Sequence, residues 1–429
     1  MTGRRRVVVT GLGLVTGLGL DVEASWRMAM AGQSGVTSLA APHGESCPVR
    51  SAGAVGPDDW AAIVDRFPDE ASRPVERRTL FALWAADEAW RDAGRPPGGD
   101  RAGVALGAGL GILRLEDQLR WRGPAGGMDL RALGTSFDQA APDSQLRHRA
   151  DAPARRIARR FGLAGPGATV TTACASAGQA IGTAFRMIRR GEADWTVAGG
   201  ADTMIHPVGL VYFVLLGAAS TSNEPPDKVC RPFDRRRSGL VMGEGAGVVI
   251  LEAETHARAR GARIYAELAG YGASFDNWRV TAPRPDGAGA SRAMRAALEE
   301  AGLAPGEVDY INAHGTGTRL NDGAETLAIK TVFGPDAPRL AVSSSKSLIG
   351  HLLAACGGPE CVFTVLSTCR NEVHPTLNLE QPDPKCDLDY VPGAGRRLTV
   401  RAALSNSFGF GGQNACLAIR KYLPTEDRP

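Results

Sequence analysis

The sequence predicts an α/β protein of two fused halves, with helices covering its sheets. Apolar or β-branched runs alternate with helical patterns along nearly the whole chain. A strand, elbow and helix unit also occurs twice. Residues 168–172 lead into Cys174 and a helical pattern, and residues 340–345 lead into Lys346-Ser347-Leu348-Ile349-Gly350-His351 and a helix ending near Gly357 and Gly358. No linker, low-complexity tract or solenoid repeat divides the chain, so the halves, 1–258 and 259–429, are expected to share one body.

In chain order, residues 6–10 read as a buried strand and Gly11, Gly13 and Gly17 as a tight turn after it. The spacing is G-x-G-x-x-x-G, with no acidic strand end at ribose distance, which argues against a dinucleotide fold. Helical patterns cover 22–31 and 78–93. Residues 104–111 form a strand entering a glycine turn where a ligand chain can pass close to the backbone. Residues 123–149 read as a surface excursion, and the helix at 153–161 carries Arg155, Arg156, Arg159 and Arg160 as a solvated basic face. Strands follow at 195–200 and 241–251. The second half repeats the grammar: strand 263–271, helix 291–301, a strand at 308–313 ending on His314, helix 321–331, then two last strands at 404–412 and 415–419 around a glycine turn.

A chain of 429 residues with 43% hydrophobic content buries a large core. A formal charge of +3 offers nothing to a nucleic acid. Arg4-Arg5-Arg6 and the apolar run behind it resemble a signal peptide, but glycines at 11, 13, 17 and 19 spoil an insertable helix, and no apolar segment is long enough to span a membrane. Eight cysteines without C-x-x-C pairs or zinc spacing read as reduced thiols of a cytoplasmic protein, and no metal site is expected. Only five of the 49 basic residues are lysines, so a lysine inside a motif carries more weight than an arginine.

Cys174 falls where a strand turns into a helix. The first helical N–H groups lack partners there and the dipole is positive, which favours a thiolate and supplies donors to an oxyanion. Three further stretches share that placement at strand ends or helix starts. They are Asn312-Ala313-His314-Gly315-Thr316-Gly317-Thr318, the Lys346 to His351 motif, and Asn406-Ser407-Phe408-Gly409-Phe410-Gly411-Gly412. Two histidines in glycine-flanked turns, one with a lysine five residues before it, point to a Cys-His-His site.

Taken together, the four stretches resemble the elongating β-ketoacyl-[acyl-carrier-protein] synthases of the thiolase superfamily, including those of type II polyketide synthases. The likeness runs from Val7 to Gly412. It implies a thiolase-like fold, an α-β-α-β-α stack of two five-stranded sheets with the site between halves, and a dimer along a sheet edge at 195–200. Cys174 would take an acyl group from a carrier protein. His314 and His351 would donate hydrogen bonds to the enolate formed when a malonyl thioester loses its carboxylate. The backbone N–H groups of Cys174 and Phe410 would hold the oxyanion, with Phe410 also acting as a gate. Lys346 would hold the histidine pair, with Glu325 as its carboxylate partner.

The resemblance further implies that Thr281, Thr316 and Thr318 line the tunnel for the carrier's phosphopantetheine, a substrate arm rather than a bound cofactor. Leu110 and Phe213 would line the acyl pocket, and Arg73, Arg77, Arg78 and Arg231 would face an acidic carrier. The bulk of residues 207–216 departs from the pattern of housekeeping relatives and predicts an acyl chain other than an ordinary long saturated one. The resemblance implies a dimer, either with its own copy or as the active subunit beside a related chain-length-factor subunit. A coenzyme A thiolase, which uses a second cysteine, is disfavoured by the His314, Lys346 and His351 set.

Overall fold

A computed structural model of the chain describes residues 5–39, 47–72, 76–111, 119, 121–127, 129–135 and 148–424. Among these, ten strands join in one sheet order: Val7–Val15 (β1), Ala102–Ala108 (β2), Gly167–Val170 (β3), Trp195–Asp202 (β4), Gly245–Ala253 (β5), Ala266–Phe275 (β6), Tyr310–Asn312 (β7), Ala341–Ser343 (β8), Ala402–Gly409 (β9) and Gln413–Lys421 (β10). The order is β8-β7-β9-β10-β6-β1-β5-β4-β2-β3. Numbered within its own half, each set of five reads third, second, fourth, fifth, first. The directions match as well: in each half the first, fifth and fourth strands are antiparallel and the fourth, second and third parallel. One design is thus used twice, and the copies meet through β1 and β6 at Val7–Leu268, Val8–Glu267 and Val9–Ala266.

The five-layer stack holds. Helix α1 (Val22–Met30) follows β1, and α2 (Arg77–Asp92), flanked by α3 (Ala152–Phe161), covers the outer face of the first sheet. Helix α4 (Ser176–Arg189) packs on β2 and β4 and reaches β6 and β10. Later in the chain come α5 (Pro207–Leu215), α6 (Ala288–Ala301), α7 (Arg319–Phe333), the four-residue α8 (Lys346–Ile349) and α9 (Gly357–Arg370). Helix α9 touches β5, β9 and β10, so α4 and α9 form the middle layer, while α6 and α7 close the far side. Both central helices follow the third strand of their half, which brings the Cys174 elbow and the Lys346–His351 elbow to the same seam.

Three expectations change. Strand β1 runs straight through Gly11 and Gly13 instead of turning. A Cβ on Gly11 would lie 2.1 Å from the Ala89 carbonyl and one on Gly13 1.8 Å from that of Ala85, so helix α2 lies directly on this face. The glycines are two apart because alternate strand residues share a face. Beyond Val9, where pairing with β6 stops, the Leu12 and Leu14 N–H groups donate to Asp92 and Glu88 of α2 at 2.9 and 2.8 Å. Burial pushes the Glu88 carboxyl up to about 7.

Gly357 and Gly358 begin a helix rather than end one. Side chains there would meet Gly178 N at 2.6 Å and the Gly247 carbonyl at 2.4 Å, so the glycines permit close packing of α9 on α4 and β5. Finally, residues 195–200 belong to the buried interior strand β4 and not to a sheet edge. The edge of that half is β3, which is partly exposed.

Candidate active site

Cys174 follows β3 on a tight backbone turn. Ala173 has φ +48, a left-handed value that costs a non-glycine residue on the order of 1 kcal/mol or more. Ser176 Oγ clamps the turn, accepting from Thr172 N at 2.8 Å and donating to the Ala173 carbonyl at 2.6 Å. Gly409 lies so close that a Cβ there would stand 3.1 Å from the backbone nitrogens of Cys174 and Ala175. This brings the β9–β10 turn against the elbow, and the Phe410 N–H donates to the Cys174 sulfur.

His314 leaves β7 and His351 follows α8. Their rings meet edge to face at 5.4 Å between centroids, and the Cys174 sulfur and one ring nitrogen each of His314 and His351 all lie within 4.8 Å of one another. All three residues are buried and line one cavity of about 530 Å³. Thr281, Thr316, Thr318 and Phe410 line the same cavity. The Thr316 and Thr318 hydroxyls are 2.8 Å apart.

The second sphere sets the tautomers. Lys346 Nζ stands 3.2 Å from His314 Nδ1; an ammonium only donates, so that nitrogen accepts and the ring proton sits on Nε2. His351 Nδ1 likewise accepts from Leu353 N at 2.9 Å. Burial, followed by the nearby Lys346 charge, drives both imidazoles well below the usual histidine value, so both are neutral. Two Nε2–H donors therefore serve one small volume beside a sulfur.

The electrostatics correct the expectation of a resting thiolate. Burial pushes the Cys174 thiol up to about 11, against the pull of Lys346 and the Phe410 N–H. A helix start contributes up to about 2 kcal/mol, roughly one and a half pKa units, which does not offset full burial here. The sulfur rests protonated and must give up its proton as it attacks; both ring Nε2 atoms already carry a proton and both Nδ1 atoms accept, so the departing carrier thiolate is the group that takes it up.

Glu325 is not the carboxylate that pairs with Lys346. The ion pair is with Glu360 of α9, and Glu360 holds the ammonium up to about 12. Glu325 instead accepts from His314 N and Gly315 N, each at 2.8 Å, and from Asn406 Nδ2 at 3.2 Å, bracing the histidine loop. The sequence signal for Glu360 is an acidic residue just after Gly357-Gly358, a pair that reads as the end of a helix. Asp202 was also missed: its Oδ2 accepts from Ala354 N at 3.0 Å and so fixes the turn behind His351.

Other assignments fall away from the cavity. Leu110 is 75% exposed, and neither it nor Phe213 lines the cavity. Phe213 packs with Leu210, Leu240 and Met242, and Val211, Tyr212 and Leu215 of α5 face outward; of the bulky residues 207–216, Leu216 lines the cavity. Arg78 is buried, donating to the carbonyls of Gly109 and His148 at 2.6 and 3.3 Å. Arg231 is buried as well, paired with Glu224. Neither side chain meets solvent, because an arginine-rich sequence does not distinguish a structural guanidinium from a surface one. Arg77 is partly exposed but pairs with Glu244 at 2.7 Å and covers Trp60. Arg73 lies outside the described residues.

Known proteins match this chain over nearly its whole length. The N-terminal domain profile of the beta-ketoacyl synthases matches residues 4–257 and the C-terminal domain profile residues 265–380. A Synechocystis sp. protein named 3-oxoacyl-[acyl-carrier-protein] synthase 2 is 42% identical over 426 residues, covering 98% of this chain and 99% of its own. One of the same name from Rhizobium meliloti is 41% identical over 437 residues, covering 97% and 99%. Among solved structures, a type II PKS acyl-carrier protein in complex with its ketosynthase bound to the hexaketide matches at 33% identity and TM-score 0.87, covering 98% of this chain and 100% of that one. The ishigamide ketosynthase/chain length factor matches at 33% and 0.82, with the same coverage. By fold and sequence, this chain belongs to the β-ketoacyl synthase family.

Proposed function

We propose that the protein catalyses decarboxylative Claisen condensation of an acyl group held on Cys174 with a malonyl group on an acyl carrier protein, giving a β-ketoacyl carrier two carbons longer. The observation that carries this is the convergence of one thiol and two neutral imidazoles, each with its Nδ1 occupied. The thiol attacks the acyl thioester, the Phe410 N–H stabilises the oxyanion, and the carrier thiol leaves. When the malonyl thioester loses carbon dioxide, its enolate oxygen receives the two Nε2–H donors; one such donor is worth on the order of 10²–10³ in rate. The enolate carbon then attacks the acyl-enzyme and expels the Cys174 thiolate. The phosphopantetheine arm belongs to the carrier and would follow Thr281, Thr316 and Thr318.

The two halves, 1–258 and 259–429, would work as one unit, in the cytoplasm, consistent with eight free cysteines and with no described helix long and apolar enough to cross a membrane. A pairing with a related chain-length-factor subunit is the second reading. The outward apolar face of α5, with Leu215 78% exposed, favours a partner subunit over a lone chain. Incubation with acyl-carrier and malonyl-carrier, followed by mass detection of β-ketoacyl-carrier, tests the reaction. The product should appear and should be lost in Cys174→Ala; its absence with native enzyme would refute the assignment.

A further inference from the structure

Two donors converge on one atom of His351. Nδ1 lies 2.9 Å from Leu353 N and 3.2 Å from the sulfur of Cys356. The first donor is held by the backbone: Leu353 sits at φ +53, and the next amide, Ala354 N, is pinned to Asp202. The second comes from a buried side chain directly before Gly357, where α9 is locked against α4. Neither the fold nor the cavity requires a thiol at this point, and Cys356 does not line the cavity.

We infer that the Cys356 thiol is a positioning group for His351. Its S–H donates to Nδ1 and, together with the Leu353 N–H, keeps that nitrogen unprotonated, so the ring proton stays on Nε2 and the ring stays neutral as the solution is acidified. Burial holds the Cys356 thiol well above its ordinary value, which makes it a donor and an unreactive one. The other ionisable groups around the ring are Cys174 at the start of α4, His314 at the end of β7 and Lys346 on α8. Glu360 of α9 is paired with that lysine, and Asp202 of β4 reaches the ring only through the Ala354 turn. Lys346 opposes imidazolium formation by charge; the thiol opposes it at the atom that would have to take the proton.

This rests on the reading of His351 as an enolate donor, and the test separates the two. In enzyme labelled with ¹⁵N-histidine, the His351 resonance, assigned by its loss in His351→Gln, should report the Nε2–H tautomer from pH 5 to 8. In Cys356→Ala it should begin to titrate in that range, an upward move of about one unit, which corresponds to a tenfold change in proton affinity. Cys356→Ser, which restores an O–H donor, should look native. The acid limb of malonyl-carrier decarboxylation should move up by about one pH unit in the Ala variant, the same tenfold change in proton affinity, with KM unchanged, and should return in the Ser variant. An unshifted His351 in Cys356→Ala, or equal effects of Ala and Ser, would overturn the inference. Native enzyme that decarboxylates nothing would instead refute the proposed reaction, and the resonance would still decide the role of the thiol.

Discussion

Lys346 Nζ lies 3.2 Å from His314 Nδ1 while its charge is paired with Glu360. One buried ammonium thereby fixes the tautomer of a histidine and keeps it neutral. Its folded value, about 12, stands above the ordinary 10.5, so the lysine contributes stability that is present below pH 10.5 and lost as pH rises through 12. In Glu360→Gln, the main charge opposing burial is gone, with Glu325 the carboxylate still near, and the amine loses its proton at lower pH. The alkaline limb of malonyl-carrier decarboxylation should then fall by two units or more, roughly 10²-fold in proton affinity. Lys346→Ala should be worse for folding, since it strands a buried carboxylate at a cost of about 3–5 kcal/mol. Rate–pH profiles and thermal melts distinguish the two.

A resting thiol predicts slow chemistry with simple alkylating agents. With Cys174 near 11, the thiolate fraction rises about tenfold per pH unit through the neutral range. Iodoacetamide inactivation should therefore accelerate steadily from pH 7 to 10. A plateau near pH 7 would mean that the helix start outweighs burial after all.

The strip of carboxylates along β1 predicts a pH-dependent stability unrelated to catalysis. Glu88 is raised from 4.5 to about 7 because burial outweighs the hydrogen bonds from Leu14 and Val22. A raised acid favours the folded state fully below its unfolded value and loses that contribution as pH climbs through 7. This is about 2.5 units, or on the order of 3 kcal/mol. Melting of Glu88→Gln should vary less between pH 5 and 7.5 than melting of the native chain.

How far the sequence could be read depends on which neighbours a residue type implies. Cys174, His314, Lys346 and His351 were legible because reactive residues in glycine turns at strand ends have few structural explanations. Glu360 was hidden because Gly357-Gly358 reads as a helix end; only the approach of Gly178 shows why a helix starts on glycine. Arg78 was misplaced for a related reason, since its partners are carbonyls distant in sequence. Gly11 and Gly13 follow the same rule, and Gly13→Ala should be severely destabilised, by about 3 kcal/mol or more, because the helix backbone rather than a movable side chain occupies the space. Near-native melting of that variant would show that α2 can retreat.

Burial of Arg78 and Arg231 moves the search for a carrier-facing charge to the cavity mouth. Arg279 and Arg319 are exposed and line the opening, beside Trp278, Val280 and Leu320, which are 54%, 74% and 63% exposed. An acidic carrier delivering its arm to Cys174 must pass this rim, and an exposed charge acts on association more than on chemistry. Arg279→Glu should raise KM for a carrier-bound substrate about fivefold or more, with kcat little changed and a weaker dependence on salt. Arg78→Gln should instead lower the melting temperature, because Asp202 and two carbonyls lose a buried partner. If Arg279→Glu left KM and its salt dependence as in the native enzyme, the carrier would have to approach from another side of the opening.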